Sequence, residues 1–113
     1  MLKLFNYRNL FSKISKNKYY RHKLYNNNIF EVILIKWDKK SKSPIHDHPS
    51  NGCLMYVIKG ELTEKRYHNN TIKENVLKKN NISFIHNMMG KHKIIANIET
   101  YSLHIYSPPN YYK

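Results

Sequence analysis

Between Ile29 and Ser107 the sequence is a succession of short β-favouring runs with very little between them. The runs are Ile29–Trp37, Cys53–Lys59, Glu61–His68, Thr71–Leu77, Ile82–His86, Lys91–Ile98 and Thr100–Ser107. Turn signals such as Lys59-Gly60, Asn69-Asn70 and Asn80-Asn81 separate them. Gly and Asn tolerate the left-handed backbone that reverses a chain. Strands this close, with no helix-length segment to cross over, imply an all-β sandwich or barrel. Val32–Ile35 is apolar on both faces, as a strand covered on both sides would be. At 113 residues the chain has the length of one domain, and 1–113 is read as one. Its lone cysteine, Cys53, excludes an internal disulfide framework and a Cys-rich zinc module.

The first eighteen residues differ. Met1–Lys18 is basic and carries Leu2, Leu4, Leu10, Phe11 and Ile14, a pattern that predicts a short helical lead-in. It lacks the apolar core of a signal peptide, and no run reaches the ~20 apolar residues that span a bilayer. The expectation is a cytoplasmic protein with no membrane partner. Net charge is +13, from 20 basic and 7 acidic residues. Such an excess can mark a nucleic-acid binder, yet no binding motif accompanies it. Seventeen of the basic residues are Lys, and Asn, Ile and Tyr are abundant too, a set that shares AT-rich codons. The charge is therefore read as a solvated Lys-rich surface, not as a nucleic-acid interface.

Three features carry potential chemistry. In an extended segment the rings of His46 and His48, two apart in His46-Asp47-His48, project to one face and can chelate one metal ion. Gly90-Lys91-His92 places a third imidazole just after a turn, and three imidazoles would leave positions open for a substrate. Alternation puts Ser102, His104 and Tyr106 on one face of the last run and Leu103 and Ile105 on the other. That polar stripe either faces solvent or faces inward with its hydrogen bonds satisfied. His22 and His68 read as surface residues. His86, Met88 and Met89 read as core packing.

Together these stretches resemble the cysteine dioxygenase family, a branch of the cupins. The matching residues are Tyr19-Tyr20-Arg21, Trp37, Ser43-Pro44-Ile45-His46-Asp47-His48, Cys53, Gly60-Glu61-Leu62-Thr63-Glu64, Gly90-Lys91-His92 and Ser102-Leu103-His104-Ile105-Tyr106-Ser107-Pro108-Pro109. They cover about residues 19–109 and leave 110–113 as a tail. The resemblance implies a small cupin barrel and a non-haem Fe(II) thiol dioxygenase that oxidises L-cysteine with O2 to cysteine sulfinic acid. By motif, His46, His48 and His92 match the iron ligands, and Arg21 matches the arginine that binds the substrate carboxylate. Tyr106 and Cys53 match a pair that some members join by a thioether bond. His104 and Ser102 match the residues that orient the tyrosine, and Tyr19 and Trp37 match pocket residues.

Two departures qualify the match, the chain's length and the place of one asparagine, and one matching residue sets the family apart from other cupins. Relatives usually carry more helix upstream and further strands after Ser107-Pro108-Pro109. Cys53 stands where an ordinary cupin has its acidic ligand. The asparagine that usually follows the third histidine falls one residue late, at Asn97, which predicts a bulge. The alternatives are a dioxygenase for another small thiol such as 3-mercaptopropionate, or a degenerate, non-catalytic metal-binding cupin. A monomer is expected.

Overall fold

A computed structural model describes residues 18–109. The predicted helical lead-in lies, Lys18 apart, outside the described residues, as does the 110–113 tail. Eight strands are present: β1 (Tyr19–Asn26), β2 (Glu31–Trp37), β3 (Gly52–Lys59), β4 (Glu61–His68), β5 (Thr71–Lys78), β6 (Ile82–Ile85), β7 (Lys91–Ala96) and β8 (Thr100–Ser107). One sheet has the order β1-β2-β8-β3-β6 and the other β5-β4-β7, and every pairing is antiparallel. Between the sheets lies the main core, to which Ile33, Ile35, Met55 and Val57 contribute from the first and Leu62 and Ile94 from the second.

Most of the strands follow the alternation of the sequence, and the turns follow its Gly and Asn residues. Asn69, Asn70 and Asn80 have φ of 48°, 64° and 71°. Gly60, between β3 and β4, has φ of 107°, and a Cβ there would press on Thr100 Oγ1 and stand 2.6 Å from the Glu99 carbonyl oxygen. Only glycine allows that approach. The connection holds β3 and β4 in different sheets, so it turns the chain from one layer into the other.

Strand β1 is the element that the run of β-favouring segments did not announce. Its residues mix Tyr and Leu with Arg, His, Lys and Asn, and six of its eight are exposed. It is an edge strand whose conformation comes from pairing with β2, with Arg21 opposite Ile35. Three further expectations need correction. His46 and His48 do not lie in a strand: outside an isolated bridge between His46 and His92, residues 43–50 are irregular. Pro44 and Pro49 lack the N–H that a continuous ladder needs. No bulge precedes Asn97, since β4 and β7 pair without a shift from Leu62–Ala96 to Tyr67–Lys91. Asn97 follows the strand and bonds Glu61 and Thr63 through its side chain. Met89 packs against the core, but Met88 is 80% exposed and fills no gap.

Candidate functional site

The loop that carries His46 and His48 is laid onto β7 by its own backbone. His46 N–H donates to His92 O at 2.9 Å, and His92 N–H donates back to His46 O at 3.0 Å. Ser43 is tied to Ile94 in the same way, with its N–H donating to Ile94 O and its Oγ accepting from Ile94 N–H. This pairing joins residues 46 apart in sequence. It sets the three imidazoles together, with one ring nitrogen from each lying within 4.8 Å of the others.

Hydrogen bonding fixes the protons on two of these rings. His46 Nδ1 lies 2.9 Å from the Pro44 carbonyl oxygen, which can only accept, so Nδ1 carries the proton. His92 Nδ1 lies 2.8 Å from Glu64 Oε2 and donates likewise. Burial opposes ionisation of Glu64, but hydrogen bonds from His92 and Ser83, with Arg66 nearby, outweigh it and hold the carboxyl below its usual range. The two Nε2 atoms lie 2.9 Å apart and, with each Nδ1 engaged by an oxygen acceptor, are the ring atoms placed to ligate. Burial first, then the neighbouring His92, pushes His46 down to about 4 and His48 to about 3, so neither takes up a proton near neutrality. Neither ring nitrogen of the buried His48 makes a hydrogen bond of good geometry, although the Gly90 backbone lies near. Buried polar atoms are rarely left so. Three ring nitrogens converging in a partly dry site suit a cation, and a three-imidazole donor set fits a divalent transition metal.

Beside the triad is a cavity of about 100 Å³, bordered by Tyr19, Arg21, Trp37, His104 and Tyr106 as well as by His46 and His92. That is well below the ~300–1,000 Å³ of drug-sized sites and suits a ligand no larger than an amino acid. Tyr19 stacks on Trp37 with ring centroids 4.8 Å apart and so walls one side. The guanidinium of Arg21, on β1, lies 5.6 Å from the centre of the Tyr106 ring, within cation–π range.

The polar stripe of β8 faces inward. Ser102, His104 and Tyr106 are buried, while Ile105 on the opposite face is 37% exposed. The stripe is tolerated in the core because its polar atoms satisfy one another. Trp37 Nε1–H donates to Ser102 Oγ at 2.8 Å. The Ser102 hydroxyl then has its own proton for His104 Nε2, also at 2.8 Å. Burial, with the nearby His92 and Arg21, pushes His104 well below the usual histidine value, so the ring is neutral and its single proton is on Nδ1. Nδ1 faces Tyr106 Oη at 3.3 Å and stands 4.0 Å from Cys53 Sγ. Cys53 and Tyr106 are directly opposite in the β3–β8 ladder. Burial pushes the Cys53 thiol up to about 12, against the pull of a hydrogen bond with Tyr106. It is a neutral thiol, inert as a nucleophile.

All ten residues singled out in the sequence thus lie at or beside one cavity. Glu64 and Pro44 stand within matching motifs without a role that the motifs assign, and Arg66 and Ser83 lie outside them. One signal marks Glu64: with Leu62 facing the core, alternation along β4 sends Glu64 inward too, in a chain with only seven acidic residues.

Two antiparallel sheets closed over a three-histidine cluster define a cupin. The fold matches solved cupins: a cupin superfamily protein from Desulfitobacterium hafniense (TM-score 0.72, 12% identity, 84% of this chain and 82% of that one) and an RmlC-like cupin from Shewanella frigidimarina (TM-score 0.70, 21% identity, 88% and 83%). Within that class, a family model described as Cysteine dioxygenase type I matches residues 5–112, and the chain belongs to that family. It is 30% identical to cysteine dioxygenase type 1 of Homo sapiens over 112 residues, covering 88% of this chain and 56% of that protein. The Danio rerio protein is 28% identical over the same shares. The chain thus spans just over half the length of these relatives.

Proposed function

We propose that the chain is a thiol dioxygenase that uses Fe(II) and O2 to convert L-cysteine to cysteine sulfinic acid. The observation that carries this reading is a cluster of three imidazoles sharing one small cavity with a guanidinium and a tyrosine hydroxyl. His46, His48 and His92 would hold the iron. When bound, Fe(II) supplies a Lewis acid that deprotonates a thiol and a redox centre that activates dioxygen. Neutral imidazoles bring no negative charge, so the anionic partner is left to the substrate thiolate. Arg21 binds the substrate carboxylate by charge-assisted hydrogen bonds. Tyr19 and Trp37 limit the size of the thiol, and the Trp37–Ser102–His104 chain holds the Tyr106 hydroxyl towards the cavity. Both atoms of O2 end on the sulfur, so RSH + O2 gives RSO2H.

Oxygen uptake by the Fe(II)-loaded protein, with sulfinate measured by mass spectrometry, tests the reading. Uptake with cysteine but not with 3-mercaptopropionate is the expected result. The opposite preference assigns another thiol, and bound iron without uptake leaves a non-catalytic metal-binding cupin. Arg21→Ala should weaken cysteine by about ten- to a hundredfold, for a lost charge-assisted bond of about 1.5–3 kcal/mol. Cysteamine, which has no carboxylate, should scarcely respond. Equal losses for both thiols would make Arg21 structural.

A thioether between Cys53 Sγ and the Tyr106 ring carbon beside the hydroxyl belongs to the same proposal. The S–H and ring C–H bonds break, a C–S bond forms, and dioxygen takes the two hydrogens. The product fixes the tyrosine rotamer and so pre-organises its hydroxyl. After turnover with cysteine, the Cys53 and Tyr106 peptides are expected as one linked species, lighter than their sum by two hydrogens. A Cys53 that stays fully alkylatable after many turnovers would show that it only packs.

A further inference from the structure

The three imidazoles differ in what holds them. His46 Nδ1 donates to a neutral carbonyl, Pro44 O. His48 has no hydrogen bond of good geometry on either nitrogen and meets only the Gly90 backbone, not a side-chain carboxylate. His92 Nδ1 donates to a carboxylate, Glu64, whose side chain is wholly buried. Glu64 is in turn held from two sides. Ser83 Oγ–H donates to Glu64 Oε1 at 2.8 Å, and Arg66 Nε lies 3.2 Å from the same oxygen. Arg66 Nη2 donates to Ser83 Oγ at 2.9 Å and to the Phe84 carbonyl at 2.6 Å. Glu64, Arg66 and Ser83 therefore form a closed ring of two hydrogen bonds and one ion pair. It ties β4 of the small sheet to β6 of the large one directly behind His92.

We propose that Glu64 is the positioning residue of the metal centre, holding the His92 proton on Nδ1 so that Nε2 is presented as a lone pair. A carboxylate behind a ligating imidazole fixes its tautomer and orientation and makes it a stronger donor. In this chain the carboxylate stands behind an imidazole, in contact with Nδ1, while Cys53 occupies the place of an ordinary cupin's acidic ligand. The Arg66 charge offsets that of Glu64, so the centre gains orientation from a carboxylate without keeping its negative charge. Ser83 and the Phe84 carbonyl hold Arg66 in place, which makes short strand β6 a support for the site. This inference rests on the metal-centre reading given above.

The test is an anaerobic titration with Zn(II) and Fe(II), each alone, of wild type, His92→Ala, Glu64→Gln and the double variant Glu64→Leu/Arg66→Met, in which no acceptor is left for the His92 proton. The double variant removes both charges, so it carries the test if Arg66, left without its partner, prevents Glu64→Gln from folding. Nitrogen NMR of the metal-free proteins reads which ring nitrogen of His92 bears the proton. Metal binding is expected to weaken about 10- to 100-fold without Glu64. The His92 proton should sit on Nδ1 in wild type and divide between the two nitrogens in the double variant. A structural role alone would lower melting temperature and leave the tautomer unmoved. Zinc binding within twofold of wild type, or an unchanged His92 tautomer, in the double variant overturns the proposal while the metal centre stands. Equal binding by wild type and His92→Ala overturns the metal centre and this inference with it.

Discussion

His48→Ala is expected to abolish metal binding while leaving the metal-free protein folded. One of three donors is lost, and on the dioxygenase reading so is oxygen uptake with cysteine. The choice of His48 follows from its surroundings. Neither ring nitrogen makes a hydrogen bond of good geometry, and removing the ring leaves behind the Gly90 backbone and not a buried carboxylate. The structural cost is that of a trimmed buried side chain, on the order of 1–3 kcal/mol. His92→Ala should lose metal equally but cost more stability, because Glu64 would be left buried without the donor at 2.8 Å. Metal content by elemental analysis, beside thermal melts of the metal-free proteins, checks both. One bound metal per chain in His48→Ala would remove the triad as the metal site.

The second large effect is expected at Trp37. It is 2% exposed, stacks on Tyr19 and gives its N–H to Ser102. Truncating a buried Trp to Ala costs about 3–5 kcal/mol. At roughly 4–8 °C per kcal/mol for a domain near this size, the melting temperature should fall by at least about 12 °C. Trp37→Phe separates packing from hydrogen bonding. It keeps most of the ring but frees the Ser102 hydroxyl from its donor, so Ser102 no longer has to point its proton at His104. A smaller loss of stability, with a larger loss of turnover than of iron binding, is expected. A drop of only a few degrees in Trp37→Ala would show that this corner of the core is not tightly packed.

How far the sequence reads ahead differs from element to element. β4 and β8 match their predicted runs end for end, Glu61–His68 and Thr100–Ser107, because turns at Gly60 and Asn69-Asn70 bound the first and bends at 97–99 precede the second. β1 was not foreseen, since its exposed, mixed residues have no alternation of their own and its partner β2 imposes the extended form. The inward face of Ser102, His104 and Tyr106 stayed undecided on periodicity alone. Two-fold alternation says which residues share a face but not which face is dry, and only the hydrogen bonds from Trp37 through Ser102 to His104 settle it. Met88 shows the reverse error, an apolar residue that packs nowhere because a single 3-10 turn, Asn87–Met89, carries it outward.

The sequence by itself determined the all-β class, the turns and the family, through local backbone preferences and motifs spread over most of the chain. Tertiary structure alone decided that the His46–His48 loop docks on β7. That contact rests on three backbone hydrogen bonds between residues far apart in sequence, and side-chain pattern does not encode them. It likewise decided that Glu64 is bonded to His92. Along β4 the alternation sends Glu64 inward, but which imidazole it meets depends on the β4–β7 register and on how the two sheets close. Local spacing is written residue by residue, whereas the convergence of distant side chains depends on how the whole chain packs.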